Sequence, residues 1–572
     1  MFYKWKKSYP FLIVGSTLAV FSGALSCKFC EVDDPLYIVD VIRQGFTLDG
    51  LHHALTDVSQ SIWMPITCIS YMLDYSAKWG LPGMHAQSLI WHSLNAILLY
   101  ILLLLSFGNS SRWPHFTPIA ALCATALWAI HPMRVESVVW LASRKDVIST
   151  TFLLVALILW TRDGWKRPFT ALLVIATGVM AKPSVMVFPL FAFALDWFVT
   201  GKRKPHYLYW AAFALGGLIA LEAGWAQSQS ATGYSQIIPL WYKILNALAA
   251  ITIYIGDFIW PRDLAIPCMI RYPALPRFSL IGTVTLIPII GWGISVLIRR
   301  FKLSICEGAA FAGISLFLVS LGPFLGIAGF GYHAYADRFT VLPAIGISIC
   351  LAAIWRGRWF APALVTVLLA LGLETMRQTQ FWKDNIRLLT RTLEVDSEKN
   401  ACVHYSLGMI YWRDHHDMQK AFEHLDKAMR YAPTETAREH YAQGGHILVE
   451  AAYASGHPAE AEDWCYWMRK WNHRQVGSNG MLVEYLFVDS LLTLNSKMPR
   501  GEKVRTVSEA LERMKRAEPD SYITKDFEYQ FAKWLGDTKR ERAALEQMAN
   551  DPENDANVNR TWAKLELSRL TQ

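Results

Sequence analysis

Apolar runs of roughly 17–22 residues, the length of a membrane-crossing helix, recur from about position 10 to about position 376, parted by short polar links. From Arg377 onward the texture changes to amphipathic helix rich in Glu, Lys, Arg and Ala. The chain therefore divides into a membrane region over 1–376, a connecting helix over 377–400 and a solvated helical region over 401–572. The predicted class is all-α: about 11 transmembrane helices, a re-entrant or interfacial segment, and a helical solenoid.

The first apolar run, from Pro10 to about Ser26, follows the basic start Met1-Phe2-Tyr3-Lys4-Trp5-Lys6-Lys7. That texture suits a signal peptide, but the many later runs favour an uncleaved span with a cytoplasmic N-terminus. Basic clusters at Arg112, Arg162/Lys166/Arg167, Lys202/Arg203/Lys204, Arg299/Arg300/Lys302 and Arg356/Arg358 read as cytoplasmic loops. Three runs lie between Lys204 and Arg299, so one, 240–260, is predicted to be interfacial or re-entrant. The links at 31–84, 131–146, Lys182-Pro183 and 331–339, and the C-terminal region, then share the outer side. The net charge of +8 belongs to the cytoplasmic loops, and no nucleic-acid partner is expected.

The polar link His131–Asp146 is the densest in charge, between the apolar runs 118–130 and 147–160. Ionisable groups beside lipid are costly and usually functional. Were the link helical, Glu136, Trp140 and Arg144 would share a face, with Glu136 holding Arg144 or Arg134. The alternative is a solvated anchor loop. Glu31, Asp33 and Asp34 crowd the exit of the first span, either as a solvated turn before Pro35 or as chemistry-bearing acids. His85, His92 and Asn95 lie on the second run; the histidines are packed helix residues or site residues, with too few partners in register for zinc. Lys182 either snorkels or faces an anion. Asp337-Arg338, after His333, is either a local ion pair or part of the site. Cys27 and Cys30 are read as unpaired thiols rather than a disulfide.

Leu407-Gly408, Tyr411, Ala421, Leu425, Ala428 and Pro433 follow the tetratricopeptide pattern with one extra residue in the turn. Weaker units surround Tyr453/Gly456/Ala461, Ala510/Leu511/Ala517/Pro519 and Trp534/Gly536/Ala543/Pro552. The stretch from Trp382 through Leu393 is expected to dock this array to the last membrane helix.

The run His131-Pro132…Glu136-Ser137-Val138-Val139-Trp140…Arg144-Lys145-Asp146-Val147-Ile148-Ser149 resembles the transmembrane and tetratricopeptide repeat-containing (TMTC-like) O-mannosyltransferases and their bacterial relatives. So do Gly83-x-His85…His92-x-x-Asn95, Ala181-Lys182-Pro183 and Ala336-Asp337-Arg338-Phe339, in that family's order. The chain departs from the family pattern at Ser88, often Asn, and at Val32, often Trp. The resemblance implies the GT-C membrane glycosyltransferase fold, a polyprenyl-phosphate-linked sugar donor and an acidic motif in the first outward loop, here Asp33-Asp34. Mannose is the sugar the resemblance implies.

A sugar on a lipid phosphate carries a good leaving group, which needs cations more than a strong acid. Arg144, Lys145, Lys182, His333 and Arg338 are the candidate clamp, and Asp33 or Asp34 the base for an inverting displacement. Glu31, His85, His92, His131, Arg134, Glu136, Trp140, Asp146 and Asp337 are supporting candidates. No cofactor is required outright; a divalent cation at Asp33 and Asp34 is the open possibility. The expected partners are the lipid-linked donor, membrane lipids and an acceptor protein presented by the repeats, in a bacterial inner membrane with the site periplasmic, or lumenal in a eukaryote. Two other functions compete: a transferase acting on a lipid or surface glycan, and a non-enzymatic membrane scaffold built around the repeats.

Overall fold

The computed structural model describes the chain outside residues 1–7, 58–62, 109–111, 229–237, 270–280, most of 282–303, 328–332, 356–359, 396–398, 433–444, most of 458–499, 518–521, 551–562 and a few single positions. It forms two compact units, Met1–Glu398 and Lys399–Gln572. Among the described residues the regular secondary structure is helical apart from one short antiparallel pairing, Cys268–Met269 with His333–Tyr335.

In the first unit six helices are long and apolar enough to cross a membrane: Ser8–Ser26, Gly80–Phe107, Pro183–Thr200, His206–Ala226, Leu240–Ile259 and Ile305–Phe324. The protein is a multi-pass membrane protein. Pro118–Ile130 and Pro132–Val139 make a seventh span if counted together, bent by 56°. Among the described residues this is fewer than the roughly eleven expected of the whole chain. Arg167–Gly178 and Pro343–Ile354 are apolar but short, and the expected span at 279–298 falls largely outside the described residues. The segment expected to be interfacial or re-entrant, 240–260, contains one unbroken 20-residue helix, Leu240–Ile259, long and apolar enough to cross a membrane. The bend lies in the 131–146 link instead.

Two X-Pro steps make the breaks that matter. A residue before proline is pushed out of the helical region by the ring. His131, before Pro132, is extended at φ −65° and ψ 136°; Lys182, before Pro183, is extended at φ −166° and ψ 135°. Trp140 is extended too, parting the helix Val135–Val139 from the 3-10 turn Leu141–Ser143 and the helix Arg144–Thr161. The link is therefore not one helix, and the expected i, i+4, i+8 face of Glu136, Trp140 and Arg144 does not exist. The broken path folds polar residues inward: every residue from His131 to Asp146 is buried.

The apolar helices close around a shared core containing Trp128, Trp160, Phe107 and Phe188. Helices Ile305–Ser320 and Pro343–Ile354 meet backbone to backbone. A Cβ on Gly313 would collide with the Gly346 carbonyl oxygen, and one on Gly346 with that of Gly313, so the crossing requires glycine on both sides.

The second unit begins with a helical hairpin, Ala401–Ile410 and Met418–Tyr431. Leu407, Gly408, Ala421, Leu425 and Ala428 are buried in it, and a side chain at Gly408 would strike Leu425. Pro433, Pro519 and Pro552 lie outside the described residues. Gly445–Ala454, Arg500–Ala517 and Tyr522–Leu535 share the hairpin's apolar core.

Candidate active site

The acid loop and the broken link are tied together through Asp34, which is 1% exposed. Its Oδ2 accepts the Cys30 N–H at 2.7 Å and its Oδ1 the Ala142 N–H at 2.7 Å. The solvated-turn alternative for this residue is thereby excluded. Asp33 differs. It is half-buried, and among the described residues no group donates a hydrogen bond to its carboxylate. Its carbonyl accepts the Tyr37 N–H at 3.0 Å, which places Tyr37 one turn further on. Asn385, just past the helix Phe360–Phe381, clamps this loop, accepting the Glu31 N–H at 3.0 Å and donating to the Phe29 carbonyl at 3.0 Å. Cys27 and Cys30 are free, buried thiols.

The candidate cations divide by what holds them. Arg144 is wholly buried. Its guanidinium lies 2.6 Å from Asp74 and donates to Gln87, Ser70, Ser88 and the Met84 carbonyl. It is committed to these groups, so the geometry does not support the expectation that it clamps a phosphate. Lys182 is paired with Asp146 at 2.5 Å. Arg338 is paired with Glu136, whose second oxygen also accepts the Arg338 backbone N–H at 3.0 Å. Glu136 thus holds Arg338 rather than Arg144 or Arg134, and Asp337-Arg338 is not the local ion pair one reading allowed. Lys145 is the exception. Its Nζ sits 3.8 Å from the Tyr37 ring centroid, and no carboxylate among the described residues lies within ion-pair distance. Asp33 is the carboxylate that acts most strongly on it.

This difference decides which cation can meet an incoming anion. Two unit charges 4 Å apart attract by about 4 kcal/mol at an effective dielectric of 20. A cation in contact with a carboxylate presents little more than a dipole, whereas Lys145 has no carboxylate in contact among the described residues.

The supporting residues are mostly struts. The His85 Nε2 meets the Cys27 carbonyl at 3.1 Å, the His92 Nε2 the Ala129 carbonyl at 2.8 Å, and the His131 Nε2 the Phe258 carbonyl at 3.0 Å. Trp140 lies under the Arg338 guanidinium and against Trp382. Arg134 is fully buried and donates to Thr340, while its Nε and Nη1 find no partner among the described residues. Burial, then Glu136 and Asp257, hold Asp337 well above the usual carboxylate range, against the pull of Arg134 and Arg338. The His333 side chain lies outside the described residues. Among those residues no three His, Cys, Asp or Glu side chains are set to hold a metal ion.

Sequence reasoning missed Tyr37, Ser70, Asp74 and Gln87. A signal for Asp74 existed: Thr67, Ser70, Tyr71 and Asp74 are one helical stripe, and all are buried. An acid on a buried stripe calls for a buried cation.

Burial raises the Asp34 carboxyl to about 7, opposed by its two backbone N–H donors; Asp33 raises it further. The folded protein therefore holds this proton more tightly than the unfolded chain. Its contribution to stability is complete in acid, falls as pH rises from about 4 toward about 7, and is flat above. Thermal unfolding in detergent should show this fall in the native protein beyond that of Asp34→Asn; parallel curves would rule it out.

The chain is 23% identical over 393 residues to protein O-mannosyl-transferase F38B6.6 of Caenorhabditis elegans, covering 65% of this chain and 54% of the worm protein. It is 26% identical over 161 residues to human protein O-mannosyl-transferase TMTC4, covering 25% of this chain and 22% of that protein. To human protein O-mannosyl-transferase TMTC3 it is 25% identical over 162 residues, covering 27% and 17%. The match thus spans about half the length of the worm relative and less of the human ones. No family model and no solved structure matches. These similarities support a relationship between this chain and the TMTC-like protein O-mannosyl-transferases.

Proposed function

We propose that this protein transfers a sugar, mannose by the names of its relatives, from a polyprenyl-phosphate donor to a hydroxyl group of a protein on the outer face of the membrane. The observation that carries the reading is the Asp33 carboxylate, free of hydrogen bonds among the described residues, set near a Lys145 ammonium that has no carboxylate within ion-pair distance among those residues. Asp33 takes the proton of the acceptor hydroxyl as its oxygen attacks the anomeric carbon. The bond from that carbon to the phosphate oxygen breaks, the configuration inverts, and the lipid phosphate leaves as an anion facing Lys145. Asp34 holds the loop, and the Lys182–Asp146 and Arg338–Glu136 pairs shape the cluster. The helical region from 401 acts as a tetratricopeptide-type solenoid that presents the acceptor. The proposed setting is a bacterial inner membrane with the site periplasmic.

The test is a transfer assay in nanodiscs, with radiolabelled polyprenyl-phosphate sugars and a cell-envelope protein extract. Label entering protein is the expected result and identifies the donor. Label entering only lipid or glycan would replace the acceptor class. No transfer from any donor would overturn the enzymatic reading.

A further inference from the structure

Lys145 raises a question the reaction scheme leaves open. An ammonium buried to 6% exposure must be held in place, yet a carboxylate that held it would cancel the charge it offers. The neighbouring cations accept that cancellation, Lys182 against Asp146 and Arg338 against Glu136. Lys145 has instead the face of Tyr37, 3.8 Å from Nζ to the ring centroid. A ring face attracts a cation through its quadrupole and carries no net charge. It therefore fixes the ammonium while leaving its field available.

The chain provides this platform locally. Pro35 opens the short π-helical turn Pro35–Val39. The Tyr37 N–H closes onto the Asp33 carbonyl, so the ring and the Asp33 carboxylate belong to one turn. Movement of that turn shifts the ammonium's support and the carboxylate together. The Tyr37 hydroxyl is not needed for the contact. Burial, with Asp33 adding to it, pushes that hydroxyl up to about 12, so it stays protonated and neutral.

We infer that Tyr37 is a positioning residue that holds the Lys145 ammonium by its ring face so that this charge stays free for the phosphate of a lipid-linked donor. The assignment rests on the phosphate-binding reading of the cluster. It gives Tyr37 a role defined by aromaticity rather than by hydrogen bonding.

The test measures binding of a fluorescent short-chain polyprenyl phosphate to the full chain in nanodiscs, without sugar or acceptor. Tyr37→Phe should bind like the native protein. Tyr37→Leu should bind about 5- to 30-fold more weakly, the span of a partly to fully desolvated cation–π contact; Tyr37→Met replaces it if the leucine variant does not fold. In a Lys145→Gln background, removing the ring should cost nothing further. Equal binding by Tyr37→Leu would overturn the assignment while leaving the phosphate site standing. So would a loss that persists in the Lys145→Gln background, because the ring would then be packing only. Absence of binding by every form would overturn both the assignment and the phosphate reading beneath it.

Discussion

Asp33→Asn should lower sugar transfer by about 10²–10⁴-fold, the usual contribution of a positioned general base, while donor-lipid binding stays within a few-fold. Asn keeps the size and polarity of the side chain but cannot take a proton. Since no group among the described residues donates a hydrogen bond to the Asp33 carboxylate, the fold loses little. Asp34→Asn should behave in the opposite way. Both Asp34 oxygens accept backbone N–H groups, and an amide offers one acceptor and one donor, so one buried N–H would face an N–H. The cost is about 1–3 kcal/mol of stability, with turnover reduced only as far as the loop loosens. The two variants, compared by turnover and thermal unfolding in one preparation, separate base from anchor. A folded, fully active Asp33→Asn beside an inactive, equally stable Asp34→Asn would reverse the assignment.

Arg144→Ala should destabilise the membrane unit by about 3–5 kcal/mol, the range for breaking one side of a buried ion pair. It leaves Asp74 charged and unmatched in the interior and strips Gln87, Ser70, Ser88 and the Met84 carbonyl of their donor. Arg144→Lys should not rescue it, because an ammonium cannot span that fork of acceptors. Replacing the pair with Arg144→Met and Asp74→Leu should recover much of the loss, since apolar residues of similar volume often match a buried pair. Thermal unfolding of the three variants in nanodiscs provides the reading. An Arg144→Ala protein that melts normally but binds the lipid phosphate poorly would restore Arg144 to the clamp.

The sequence was most legible where physics acts over short distances. Apolar runs located the membrane helices, and Pro132 and Pro183 marked the breaks, because helix length and X-Pro sterics depend on adjacent residues. The charged link was recognisable as a centre because buried charge is costly wherever it falls. Pairing was not legible. Glu136 had Arg134 and Arg144 close by in the chain, yet it joins Arg338 across 202 positions. Nothing in the local pattern encodes that choice; it follows from the turn at Trp140, which ends the helix that would have carried Glu136 toward Arg144. Asp74 was overlooked for a related reason: its stripe was helical, but its partner lies on another helix. The count of crossings exceeded what the described helices support, in part because two apolar helices, Arg167–Gly178 and Pro343–Ile354, are too short to count by themselves and the run at 279–298 falls largely outside the described residues.

The Asn385 clamp also bears on how this protein is made. Its partner at Glu31 lies 354 positions earlier, and at a ribosomal pace of 5–20 residues per second that separation is roughly 18–70 s of synthesis. Throughout that interval the first loop is made but lacks the side chain that holds Phe29 and Glu31, just ahead of its two acids. A nascent chain halted before Asn385 carries Asp33 and Asp34 but not this clamp on the residues before them. Completion of the helix Phe360–Phe381 and of Asn385 just beyond it, rather than insertion of the first span, is then the step that frames this loop.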